Sequence, residues 1–128
     1  MVELAFSKLL LASQPITAIC NNRISPVRLP TNATMPAIHF MFVGGSSQLT
    51  QDGQGTQRYR VEVSCWGNSY ADAVTLRAAV VTTLNGYKAN NLFITFLQNI
   101  DFDDHETLQF RALAEFYLYS NMGQAFSQ

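Results

Sequence analysis

The chain has 128 residues, enough for one hydrophobic core and a single domain spanning 1–128. Hydrophobic residues make up 48% of it and charged residues 13%, which is too apolar for a disordered chain. The formal net charge of −1 excludes electrostatic wrapping of nucleic acid as its main task.

Residues 2–13 read as a short amphipathic helix, with Val2, Ala5, Phe6, Leu9 and Leu10 on one side. Pro15 is expected to stop it, because proline lacks the N–H and clashes with the preceding turn. Glu3 and Lys8 inside this pattern argue against a signal peptide. No apolar run approaches the roughly 18 residues of a membrane span. Pro26, Pro30 and Pro36 punctuate residues 20–36, leaving room for at most a short edge strand around Ile24–Leu29.

Residues 37–43 read as a strand with Ile38, Phe40 and Phe42 on one face. Its other face (Ala37, His39, Met41, Val43) is also mostly apolar, which predicts a strand covered on both sides. Gly44–Thr56 reads as a long polar, glycine-rich loop. Residues 57–66 alternate again: Tyr59, Val61, Val63 and Cys65 point one way, Arg58, Arg60, Glu62, Ser64 and Trp66 the other.

The best-marked helix covers 69–85. Ser69 and Asp72 have capping-box spacing, and Gly86 suits the left-handed position that ends a helix. Val74, Ala78, Val81 and Leu84, with Ala73 and Val80, are the expected apolar face. Arg77 projects near its middle, either as a snorkelling stem or as a salt bridge to a neighbouring subunit. Residues 92–100 read as a strand, Asp101–Glu106 as an acidic turn, and 107–119 as a last strand. In that last strand Leu108, Phe110, Ala112, Ala114, Phe116 and Leu118 share a face. Residues 120–128 read as a polar tail. The order predicts an α+β fold: a two-layer domain whose mostly antiparallel sheet of four to five strands carries two helices on one face.

No catalytic constellation emerges, so the chain reads as a non-enzyme. The loop glycines lack the G-K-[ST] of a phosphate-binding loop, and no G-x-S-x-G elbow positions Ser46 or Ser47. His39, inside an apolar strand, reads as a packed, hydrogen-bonded histidine rather than a base. The stretch Asp101-Phe102-Asp103-Asp104-His105-Glu106 could hold a divalent cation, yet its spacing does not match an EF-hand, and a solvated turn explains the same residues. Arg58, Arg60 and Trp66 could form a nucleic-acid stacking face, but Glu62 lies among them. Cys20 and Cys65 read as buried free thiols. No metal site and no cofactor are predicted.

The order of these motifs resembles the tail completion, or tail-terminator (head–tail joining), proteins of long-tailed bacteriophages. The resemblance runs through nearly the whole chain. It rests on the N-terminal helix followed by Arg23-Ile24-Ser25-Pro26-Val27-Arg28-Leu29-Pro30, and on the proline-led strand Met35-Pro36-Ala37-Ile38-His39-Phe40. Its most distinctive part is Cys65-Trp66-Gly67-Asn68-Ser69-Tyr70-Ala71-Asp72-Ala73, where a strand ends in Cys-Trp and a small turn opens a helix.

The resemblance implies a structural virion protein located at the head–tail junction and assembled in the host cytoplasm. It implies a homo-oligomeric ring, commonly a hexamer, that caps the tail tube and stops its polymerisation. The implied partners are the tail tube protein below and the head connector or head-completion protein above, with a link to the tape measure. DNA would pass only in transit through the lumen, and no membrane is involved. The expected contact residues are Gln48, Leu49, Asp52, Arg58, Arg60, Arg77, Asp101, Asp103, Asp104 and Phe126. Two alternatives stay open: another connector, head-completion or tube component, and a small cytoplasmic binding domain unrelated to phage. The shortage of charge fits a subunit that meets other protein over much of its surface.

Overall fold

The computed structural model describes residues 2–49, 55–89, 92–102 and 110–120. The chain runs α1 (Val2–Ala12), α2 (Gln14–Cys20), β1 (Ile24–Pro26), β2 (Ala37–Leu49), β3 (Gly55–Gly67), α3 (Tyr70–Leu84), β4 (Lys88–Ala89), β5 (Leu92–Phe102) and β6 (Phe110–Ser120). The strands form one sheet in the order β1-β2-β3-β6-β5-β4. All pairings are antiparallel except β1 with β2, which run parallel. The α+β, two-layer expectation holds, with three helices and six strands among the described residues. No helix among them is long and apolar enough to cross a membrane.

Alternation along the strands sorts the residues of the helix-packed layer. Val61, Val63 and Cys65 of β3 and Ala112, Ala114, Phe116 and Leu118 of β6 are all 0% exposed. All but Ala112 form one apolar cluster with Ile38 and Phe40 of β2 and with Phe6, Leu10, Ile16, Leu76, Val80 and Leu84 of the helices. Phe6 anchors the N-terminal end of this core, its ring edge-on to Phe40 at 5.2 Å and to Phe42 at 5.7 Å. Such offset contacts suit the charge distribution of aromatic rings. Cys20 and Cys65 are both buried and unbridged. Burial pushes the Cys65 thiol well up, and the nearby Cys20 adds to the shift, so both stay protonated.

Several boundaries differ from the sequence expectations. Pro15 does not end the N-terminal helical segment. The chain breaks at Ser13 and resumes as α2 with Pro15 in its first turn, where a missing N–H is no loss. Residues 44–49 and 55–56 are strand, not loop: Gly45 pairs with Tyr59 and Leu49 with Gly55 in a long hairpin. Backbone ladders need no apolar side chains, so a polar sequence concealed them. The strand from Ala37 is covered by helices on one face only, and Met41 on the other is exposed. On α3 the buried positions are Ala73, Leu76, Arg77, Val80 and Leu84. The predicted face had included Val74, Ala78 and Val81; apolar residues all round this helix blurred its period. Asp101 belongs to β5 rather than to a turn, and residues 103–109 lie outside the described residues.

The ends of α3 follow the predicted chemistry. Ser69 Oγ accepts from the Asp72 N–H at 3.1 Å, and Gly86 takes φ +81 just past the helix. Gly67, between β3 and α3, has a different role. A Cβ there would lie 2.8 Å from both the Ala73 nitrogen and the Asp72 Cβ. Glycine is therefore what lets the strand turn directly beneath the first turn of the helix.

Candidate assembly surface: the open face of the sheet

Alternation that buries one set of side chains turns the other set to the opposite face, on which no described helix packs. Cross-strand register arranges that face in rows. Arg58 lies beside Tyr119 and Phe93, Arg60 beside Tyr117 and Thr95, Met41 beside Glu62, Glu115 and Gln98, and Trp66 beside Arg111. The four long strands place three arginines on this face and no lysine.

The charges are tied together within the chain. Arg60 lies 3.3 Å from Glu115 and 3.9 Å from Glu62. Register sets these two carboxylates directly opposite each other, an arrangement that repels unless a cation joins it. Glu115 is 3% exposed. Its Oε1 accepts from Gln98 Nε2 at 3.2 Å, while Oε2 faces Arg60 in an ion pair without a hydrogen bond. The remaining arginines cover rings: Arg58 sits 5.0 Å over Tyr117 and Arg111 sits 5.4 Å over Trp66. Guanidinium groups are weakly hydrated and stack readily on aromatic faces.

At one end of this face the loop 27–35 folds back over the sheet. The Val27 N–H donates to the Phe40 carbonyl at 2.7 Å, and Arg23 Nε donates to the Pro36 carbonyl at 2.8 Å. Beneath the loop lies a cavity of about 300 Å³, whose lining includes Arg28, Leu29, Pro30, Met35, His39 and Trp66. The Trp66 indole N–H donates to His39 Nδ1 at 2.9 Å. Burial, aided by the Arg111 charge, holds the His39 pKa below its ordinary value. The imidazole is the packed, hydrogen-bonded histidine that the strand pattern implied. The cavity itself left no mark in the sequence, because it joins an irregular proline-rich loop to two strand residues far away along the chain.

The expected contact residues separate into four groups. Arg58 and Arg60 lie together on the open face. Arg77 is 8% exposed and pairs within its own chain: it donates to Asp101 Oδ1 and to the Ile100 carbonyl. Tyr70 donates to Asp101 Oδ2 at 2.7 Å. The Tyr70 hydrogen bond, then the Arg77 one, holds the Asp101 carboxyl below its ordinary range. Gln48 and Leu49 belong to the far end of β2. Asp52, Asp103, Asp104 and Phe126 lie outside the described residues, as does most of the acidic stretch considered for a cation. Among the described residues no group of three or more His, Cys, Asp or Glu comes together for a metal.

Comparison with known proteins adds three findings. The family model described as Tail completion protein gp17 matches residues 5–119. No curated protein gives a significant match. Among solved structures 22 chains match. One of them belongs to a structure described as the virion of a native gene transfer agent (GTA) particle. It matches with a TM-score of 0.66 and 14% identity, over 88% of this chain and 89% of that one. At that identity the likeness concerns the fold.

Proposed function

The chain belongs to the tail completion protein gp17 family, structural proteins of the phage virion tail, and from that premise we propose that it is the tail terminator. In this reading copies of the chain close into a ring, a hexamer, on the last ring of the tail tube. The ring stops tube polymerisation and offers its other axial side to the head connector, and DNA passes through its lumen. The role is structural rather than catalytic. The likeness to a chain of a gene transfer agent virion supports an assembly role of this kind.

The observation that carries this reading is the composition of the open face. Tyr117, Tyr119, Trp66, Phe93, Met41 and three arginines are the residue types that dominate protein interfaces, and lysine is absent from the long strands there. Met41 and Phe93 are each 39% exposed in the isolated chain. Charges already paired within the subunit cost less to bury against a neighbour than solvated ones. A ring needs head-to-tail contacts that close by rotation, and a sheet face on which no described helix packs leaves a large surface for contact.

Particles made without the protein test the proposal. Negative-stain images are expected to show overlong or headless tails, and added purified protein should restore joined particles. Normal joined particles in its absence would defeat the terminator reading. Long tubes formed by the purified protein alone would identify a tube subunit instead.

A further inference from the structure

The cavity under the loop 27–35 has one-sided chemistry. Arg28 is exposed on its rim, and among the described residues no carboxylate lines it. The Arg111 guanidinium covers the Trp66 ring. Because the indole N–H occupies His39 Nδ1, a neutral imidazole carries its proton on Nε2 and is a donor there. Leu29, Pro30, Met35 and Trp66 supply apolar walls. Such a site suits a carboxylate carried beside an apolar side chain, and it disfavours a cation.

The chain itself contains a segment of that chemistry. Of its nine acidic residues, Asp101, Asp103, Asp104 and Glu106 fall within six positions around Phe102. Asp101 is already held by Arg77 and Tyr70. The remaining three acids, known by sequence alone, carry the charge that is left. Placement favours contact between copies. Trp66, Arg111 and Phe102 lie in one row across β3, β6 and β5, so the cavity and Asp101–Phe102, where the acidic segment begins, belong to the same end of the sheet. The cavity lies towards its β1 side, and Asp101–Phe102 belong to β5. Rotation about an axis along the strands brings the β5 side of one copy towards the β1 side of the next without changing that end.

The geometry points to a head-to-tail contact in which the Arg28–His39–Trp66 cavity of one copy receives the acidic segment 101–106 of a second copy. This rests on the ring reading above and names the residues that join its subunits. A nucleic-acid phosphate is the less suitable occupant, because Arg111 already covers one face of the only tryptophan and the cavity is no continuous track along which a backbone could run.

Trp66 is the single tryptophan, so its indole N–H gives one resolved NMR signal inside the cavity. The probe is an acetylated, amidated peptide of residues 100–107. It should shift that signal saturably in the full-length protein. Arg28→Glu should weaken binding by about tenfold or more, Arg28→Lys by less than about threefold, and replacing the peptide's acids with amides by about tenfold. No saturable shift at millimolar peptide, or equal binding of the amide peptide, overturns the proposal. Tighter binding of an octathymidylate also overturns it, in favour of a phosphate site. In particles, Arg28→Glu alone and Asp103→Arg with Asp104→Arg should each lower the yield of joined tails, and the combination should restore it; failure of the combination to restore yield counts against the contact. A silent peptide with a working terminator removes this contact and leaves the ring. A binding peptide with tails indifferent to the protein removes the ring and leaves a self-association site.

Discussion

The two faces of the sheet are made by the same strands and differ in what they leave undone. On the helix face Val61, Val63, Phe116 and Leu118 are 0% exposed and belong to one apolar cluster with the helices. On the open face Arg60, Glu115 and Gln98 hold one another, and arginines cover Tyr117 and Trp66. The first face spends its apolar area on folding. The second satisfies its charges within the subunit yet keeps aromatic area exposed, which is the condition of a surface prepared for a partner. Stability and assembly should therefore separate by face, even between neighbouring residues.

Phe116 and Tyr117 make the sharpest form of that comparison. Phe116→Ala should cost about 3–5 kcal/mol, because it removes a fully buried ring and leaves a cavity. Tyr117→Ala should cost about 1 kcal/mol or less in the isolated chain, since its ring is only partly covered. Urea unfolding of the two variants measures this. In particle assembly the Tyr117 variant should be defective although it is folded. Equal stability losses would break the distinction between the faces.

Gly67 tests the helix side without removing any apolar group. A methyl group there must displace the first turn of α3, so Gly67→Ala should cost about 1–3 kcal/mol by overpacking. Thermal unfolding checks it. A neutral result would mean that the strand-to-helix turn relaxes easily.

The Arg77–Asp101 pair lies on the helix side but reaches the surface through Asp101, whose side chain is 51% exposed. Asp101→Asn leaves the buried guanidinium without its counter-charge and should cost about 1–2 kcal/mol, less than a fully buried pair because water reaches the site. The carboxyl pKa is depressed in the folded chain. Its contribution is therefore present above the unfolded value near 3.8 and is lost as pH falls through the lower folded value. Acid unfolding of wild type and Asp101→Asn should converge at the lowest pH. A constant difference across the titration would remove this pair from the acid response.

The strands of the helix face were legible in the sequence, as was the row Arg58, Arg60, Glu62, Ser64 and Trp66 on the open face. What each residue of that row meets on its neighbours was not. Alternation in Tyr59–Cys65 and Ala112–Leu118 announces buried strands because burial demands it. Ser69, Asp72 and Gly86 announce helix ends because backbone groups there need specific partners. The far part of the hairpin carried no such signal, since a backbone ladder such as Gly45–Leu49 forms needs no apolar alternation and the sequence there is polar. Pro15 was ambiguous in principle, for the same missing N–H that ends a helix suits the first turn of another. The pairing of Arg77 with Asp101 spans 24 positions, and the cavity joins Arg28 to Trp66. Contacts of that range come from topology, which the local pattern does not encode.

The smallest effect expected concerns His39, and it places the cavity within the comparison. Burial and Arg111 lower its pKa from the ordinary value of 6.5, so the folded chain resists a proton that the unfolded chain accepts. Stability is then undiminished above about pH 6.5 and declines as pH falls through the window between the unfolded and folded values. Once pH reaches the lower folded value, the protonated ring can no longer accept from the Trp66 N–H, because Nδ1 carries its own proton. Arg28, on the cavity rim, and Arg111 oppose the added charge, and among the described residues no lining carboxylate relieves it. Trp66 fluorescence should therefore titrate with a midpoint below 6.5 while far-UV dichroism stays constant, and His39→Gln should abolish the transition. A transition that persists in His39→Gln would assign it to another group. One that carries the far-UV signal with it would mean that this end of the open face is part of the folding core after all, and the separation between the two faces would not extend to the cavity.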